Sequence, residues 1–147
     1  MSNSHLQLKQ NYKIINLSLA GIILCIFIYS GLFSPQKSNH PIPSIYTKIT
    51  GEKSPSTGLS RSFSALIRGD IQEAKNYNSE ALPIFLFFFF QLIFRSLSSV
   101  LIKNNFSALK IYILTDITLS ALTFYLTFRP LILFTIKLFS ETIVNYE

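Results

Sequence analysis

Apolar positions along the chain gather into three runs divided by polar segments. The first, Ile14 to Phe33, is interrupted only by Asn16, Ser18 and Ser30. Its twenty residues, at about 1.5 Å of rise each, match a hydrocarbon core of about 30 Å. Lys9 and Lys13 precede it, which raises a secretory signal peptide. The run is longer than a usual h-region and no small-x-small cleavage site follows, so it reads as an uncleaved signal anchor. A second run, Ala81 to Ile102, carries the Phe87 to Phe90 block. Pro83 falls in its first turn, where a missing N–H is tolerated, and Ser79 or Glu80 can cap the start. Ile111 to Phe128 makes the third, and the short Lys103 to Lys110 connection forces an antiparallel hairpin with the second. Arg129-Pro130 then breaks the pattern. The apolar stretch 131–139 either continues the third helix through a proline kink or turns along the interface. A kinked or broken helix is preferred, because Arg129 and Lys137 are costly in mid-bilayer and natural at a head-group level.

The predicted fold is an all-α membrane protein, one integral membrane domain over 1–147. Spans cover about 14–33, 81–102 and 111–128, and a tail, kinked or interfacial, covers 130–146. Composition agrees: 49% of residues are hydrophobic and 14% charged, against about a quarter charged in soluble domains. The net charge of +6 is scattered singly near helix ends, with no basic stripe for nucleic acid. It reads as interfacial anchors for anionic head groups. The lone Cys25 excludes an intrachain disulfide and a Cys-rich zinc site.

Orientation follows the Lys/Arg bias of short flanks. The N-terminal tail and the 103–110 connection each carry two lysines and no acid, which places both in the cytoplasm. The 34–80 loop has six basic residues offset by Glu52, Asp70, Glu73 and Glu80, and is placed outside.

That loop carries the most information. Leu59, Phe63, Leu66 and Ile67 recur at helical spacing after Thr57, a suitable N-cap. Gly69 is positioned to end this helix in a left-handed turn, and Asp70 to cap the next, with Glu73 completing a capping box. Ile71, Ala74 and Tyr77 give the second short helix one apolar side. With Arg61 and Arg68 opposite the apolar stripe, residues 54–80 read as a two-helix interfacial lid between spans one and two.

The lid segment resembles a family of small bacterial inner-membrane proteins known only as a domain of unknown function. Its members read Cys-Pro-x-Cys-Gly-Leu-Thr-Arg, then Phe-x-Ala-Leu, Gly-Asp, Ala and Asn-Pro ahead of a transmembrane helix. The matching positions are Pro55, Gly58, Leu59, Arg61, Phe63, Ala65, Leu66, Gly69, Asp70, Ala74 and Asn78. Both family cysteines are replaced, by Ser54 and Thr57, the family Thr is Ser60, and the Pro after Asn78 is Ser79. A Cys-x-x-Cys pair supports thiol–disulfide exchange or half a metal site, and Ser and Thr support neither. The resemblance therefore implies a bacterial inner membrane and a structural or docking role for Gly58, Arg61, Asp70 and Asn78.

Arg61 either holds a lipid phosphate or partner carboxylate as a bidentate fork or is an interfacial arginine. Asp70 is first a helix cap. Arg95 and Asp116, the ionisable residues deepest in the spans, lie at similar depth in the hairpin and are expected to pair, because an unpaired intramembrane charge is expensive. The pair reads as a structural staple before a proton relay. His5 and His40 have no ligand partner at metal spacing. Ser60 and Ser64 lack a base and a nucleophile-elbow pattern, and no phosphate-cradling Gly-rich loop occurs. No catalytic residue, metal or cofactor is expected. Asn105-Phe106-Ser107 matches a glycosylation acceptor but falls in a connection placed in a bacterial cytoplasm.

The leading functional expectation is an accessory or scaffold subunit of a bacterial membrane complex, its partners the bilayer and other membrane subunits. An alternative is a lipid head-group binding or modifying protein that uses the lid around Arg61. A homo-oligomeric channel lined by Gln91, Arg95 and Asp116 is a third.

Overall fold

The computed structural model describes residues 3–36, 54–101 and 106–144. Among these there are five helices and no strand: α1 Asn3–Leu32, α2 Leu59–Ile67, α3 Ile71–Tyr77, α4 Ala81–Val100 and α5 Phe106–Val144. Helices α1, α4 and α5 are long and apolar enough to cross a membrane, compatible with a multi-pass membrane protein. His40, Asn105, Lys37, Lys48 and Lys53 lie outside the described residues.

Two helices extend further than their apolar runs. Helix α1 begins at Asn3, so Lys9 and Lys13 sit on its first turns instead of in a tail. Once a helix is nucleated, each added residue gains a backbone bond at little cost. Helix α5 runs 39 residues and passes through Pro130 without ending. Pro130 removes one backbone donor, but the apolar pattern resumes at Leu131. Helix α5 begins at Phe106, ahead of the expected Ile111.

Contacts fix the register. Phe27 meets Phe85 at a ring distance of 5.1 Å and Asn16 meets Arg95, so α1 and α4 are antiparallel. Phe87 lies 5.5 Å from Phe128 and Arg95 meets Asp116, so α5 is antiparallel to α4 and parallel to α1. The outer faces of all three present large apolar side chains, among them Ile22, Phe94, Leu114 and Leu126, the distribution lipid contact demands and water penalises.

The α2–α3 pair packs through small residues. Ala65, Ala74 and Ala81 are buried, and so are Ser62 and Ser64. Of the expected stripe on α2, only Phe63 is buried, while Ile67 is exposed. Serine replaces bulk here because it permits close helix approach and ties its own hydroxyl to a carbonyl, Ser62 Oγ donating to Ala74 O at 2.8 Å.

The turns follow the sequence in part. Gly69 has φ +82°, with Gly69 N donating to Leu66 O and Asp70 N to Ala65 O, both at 3.0 Å, the Schellman closure. Asp70 Oδ1 accepts from Glu73 N at 2.8 Å. The Glu73 carboxylate accepts from Tyr77 OH instead of returning to the cap, so the box is half formed. Gly58, not Thr57, occupies the N-cap of α2, and it makes no side-chain cap. The Thr57 hydroxyl is taken by Ser54 N at 3.0 Å.

Candidate functional site

One polar cluster joins the three long helices. Tyr12 and Asn16 stand one turn apart on α1, Gln91 and Arg95 on α4, and Tyr112, Asp116 and Ser120 on α5, each set sharing a helix face. Arg95 Nη1 donates to Asp116 Oδ2 at 2.9 Å and to Asn16 Oδ1 at 2.7 Å. Its Nη2 donates to Ser120 Oγ at 2.8 Å and its Nε to Gln91 Oε1 at 3.1 Å. Asp116 Oδ2 also accepts from Tyr12 OH at 2.7 Å. Asn16, fully buried, is oriented by donating its Nδ2 to Tyr12 O at 3.0 Å. A neighbouring Ser98–Tyr112 hydroxyl contact of 2.9 Å and the edge-on rings of Tyr12 and Tyr112 close the cluster toward the α4 C-terminus.

Each guanidinium nitrogen of Arg95 thus has a side-chain acceptor from within the chain, and the charge faces one carboxylate. Such closure suits a medium without water, where an unmet polar group is costly. It leaves little capacity for a ligand. Beside it a cleft of about 650 Å³ between α4 and α5 is lined by Phe90, Phe94, Asp116, Ser120, Thr123 and others.

Sequence reading named Arg95 and Asp116 but not Tyr12, Asn16 or Ser120 as their partners. The buried positions of α1 fall at His5, Tyr12, Asn16, Ala20, Ile23 and Ser30, a helical repeat on which Asn16 is a member and not an interruption.

The second group is the corner where α2, α3 and the start of α4 meet. Asn78 holds it. Its Nδ2 donates to Pro55 O at 2.7 Å and Thr57 O at 2.9 Å, and its Oδ1 accepts from Glu80 N at 2.9 Å. Asn78, and neither Ser79 nor Glu80, therefore supplies the side-chain acceptor at the start of α4; Glu80 is the N-cap and makes no such bond. Gly58 has φ +82°, and a Cβ there would stand 2.5 Å from Tyr77 O. Only glycine fits, on both counts. Ser54 and Thr57 hydroxyls lie 3.1 Å apart.

The arginines of α2 turn toward α1. Arg61 Nε donates to Pro35 O at 2.7 Å, and its guanidinium lies 4.1 Å from the centre of the Tyr77 ring. Arg68 Nη1 donates to Ser64 O at 2.6 Å and Ser30 O at 3.4 Å, and Nη2 to Gly31 O at 2.9 Å. These last carbonyls belong to the C-terminal turn of α1, the negative end of its dipole. Asp70 stays exposed at its cap. Among the described residues no three of His, Cys, Asp and Glu come close enough to hold a metal ion.

No curated protein and no solved structure matches the chain. Residues 45–92 match the model of a family described as "Protein of unknown function (DUF2752)". The match takes in the α2–α3 corner and the first half of α4 but stops short of Arg95 and all of α5; the chain thus contains a DUF2752 domain of unknown function at residues 45–92.

Proposed function

We propose that the chain is an accessory or scaffold subunit of a larger membrane-protein complex in a bacterial inner membrane, with no chemistry of its own. In this reading α1, α4 and α5 span the bilayer with the N-terminus in the cytoplasm. The α2–α3 pair forms an interfacial lid on the outer side. The observation that carries it is the closed polar cluster. Arg95 spends all three guanidinium nitrogens on Asn16, Asp116, Ser120 and Gln91, which makes it a fastener of the bundle and not a port for substrate. The outer faces of the helices, large and apolar, remain for lipid or a partner helix.

The head-group alternative needs Arg61 as its anchor. That side chain is stacked on Tyr77 and bonded to Pro35 O, contacts that hold it against the α2–α3 corner.

The test is solubilisation of native membranes in a mild detergent, followed by affinity purification and cross-linking mass spectrometry. A stoichiometric membrane subunit cross-linked to an outer face of α1, α4 or α5 is expected. A chain that purifies strictly alone, uncross-linked under gentle conditions, would overturn the proposal.

A further inference from the structure

A cleft of about 730 Å³ runs along α1 from Ser18 to Ser30, walled by Gly21, Cys25 and Phe88, with Phe63 of α2 lining its upper part. Its lining is almost wholly apolar, and its volume is that of a ligand site. From Ser18 to Ser30 is twelve residues, about 18 Å of helix, close to one leaflet's share, about 15 Å, of the hydrocarbon core. The cleft therefore has the depth of one acyl chain, beginning at the level of α2.

Its upper end is positively charged. Arg68 is fixed there on the carbonyls of Ser30, itself a cleft residue, and Gly31. Two turns away on the same helix, Arg61 is held by Pro35 O and the Tyr77 ring. Among the described residues neither arginine forms an ion pair, whereas Arg95 is paired with Asp116. Carbonyls and a ring orient a guanidinium without cancelling its charge, so the mouth of an apolar, leaflet-deep cleft keeps uncompensated cations.

We propose that this cleft binds one acyl chain of an anionic phospholipid, with the lipid phosphate at Arg68. The site is independent of any partner subunit, and it rests on α1 and α4 lying in a bilayer.

Gly21 gives the decisive variant. A Cβ added there meets no atom within 4 Å, so Gly21→Leu fills the cleft without forcing the backbone. The full chain, purified in mild detergent, is offered dioleoyl phosphatidylglycerol or dioleoyl phosphatidylcholine and read by native mass spectrometry. One phosphatidylglycerol per chain is expected, preferred about five-fold over phosphatidylcholine, the share of one basic residue near anionic lipid. Gly21→Leu, with helical circular dichroism and unfolding temperature unchanged, should lower occupancy of both lipids about ten-fold. Arg68→Gln should equalise the two lipids, and Arg68→Lys should keep the preference. Inorganic phosphate should not displace the lipid. The proposal is overturned by a folded Gly21→Leu chain that keeps its lipid, by a wild type indifferent to head-group charge, by displacement with phosphate alone, or by Cys25 cross-linking to a protein helix that fills the cleft.

Discussion

The two polar regions of this molecule use arginine in opposite ways. In the cluster between α1, α4 and α5, Arg95 is met by side chains alone, drawn from all three helices and across as many as 79 positions of sequence. At the α2–α3 corner, Arg61 and Arg68 are met by backbone carbonyls and a ring. The first arrangement neutralises its charge and the second only orients it. In the proposed membrane arrangement the difference is one of medium: in hydrocarbon an uncompensated cation is excluded, whereas near head groups it is tolerated and anionic lipid can complete it. Stability should therefore depend on charge pairing in the cluster and on backbone geometry at the corner.

The largest effect is expected from Asp116→Asn, which leaves Arg95 without its carboxylate. A loss of about 3 kcal/mol should appear in denaturant titrations of the detergent-solubilised chain. Arg95→Gln combined with Asp116→Asn should recover more than half of it, since removing both charges also removes the penalty. If the single and double variants were equally unstable, pairing would not be the organising feature. Next is Gly58→Ala at the corner, where a left-handed φ and a clash with Tyr77 O coincide; about 2 kcal/mol is expected. Gly69→Ala, with the same φ but open space around its Cβ, should cost about 1 kcal/mol. Thermal unfolding of the two side by side isolates the clash from the dihedral.

Asp70→Ala removes the cap bond to Glu73 N and should cost about 1 kcal/mol, visible as faster amide exchange confined to the first turn of α3. The smallest effect belongs to Arg61→Lys. It keeps the charge but loses the flat stack on Tyr77, about 0.5 kcal/mol. A loss as large as that from Asp116→Asn would mean that the corner too relies on charge pairing.

The same contrast explains what could be read from sequence. Apolar runs of span length are a strong signal, and so is a Gly-Asp step at a helix junction, where Gly69 turns and Asp70 caps. Helix ends were less legible. No continuous apolar run marks Asn3 to Lys13, yet Leu6, Gln7, Leu8 and Lys9 are good helix formers, and α1 extends through them. At Pro130 the sequence leaves a kinked or broken helix and an interfacial turn both open, and within a 39-residue helix the flanking turns hold. At the site, the antiparallel offset relates Arg95 to Asp116 from sequence alone. Tyr12, Asn16 and Ser120 were not paired with them because their roles depend on how α1 is rotated against the hairpin. Arg68 was drawn on the outer side of its helix; its reach to Ser30 and Gly31 required knowing where α1 ends.

The length of α5 bears on membrane thickness. Its apolar segment, Ala108–Ser140, has 33 residues, about 50 Å of helix, whereas the 20 residues of α4 span about 30 Å. Burying all of the longer segment by tilt alone would need an inclination of about 53°, beyond the range of about 40° seen for spanning helices. A bilayer matched to α4 therefore leaves the turns after Pro130 in the head-group layer or beyond it, with Leu133, Ile136 and Phe139 outward. A thicker bilayer draws them back in. In the proposed membrane arrangement, the amount of apolar surface shown above the bilayer is thus set by the bilayer itself.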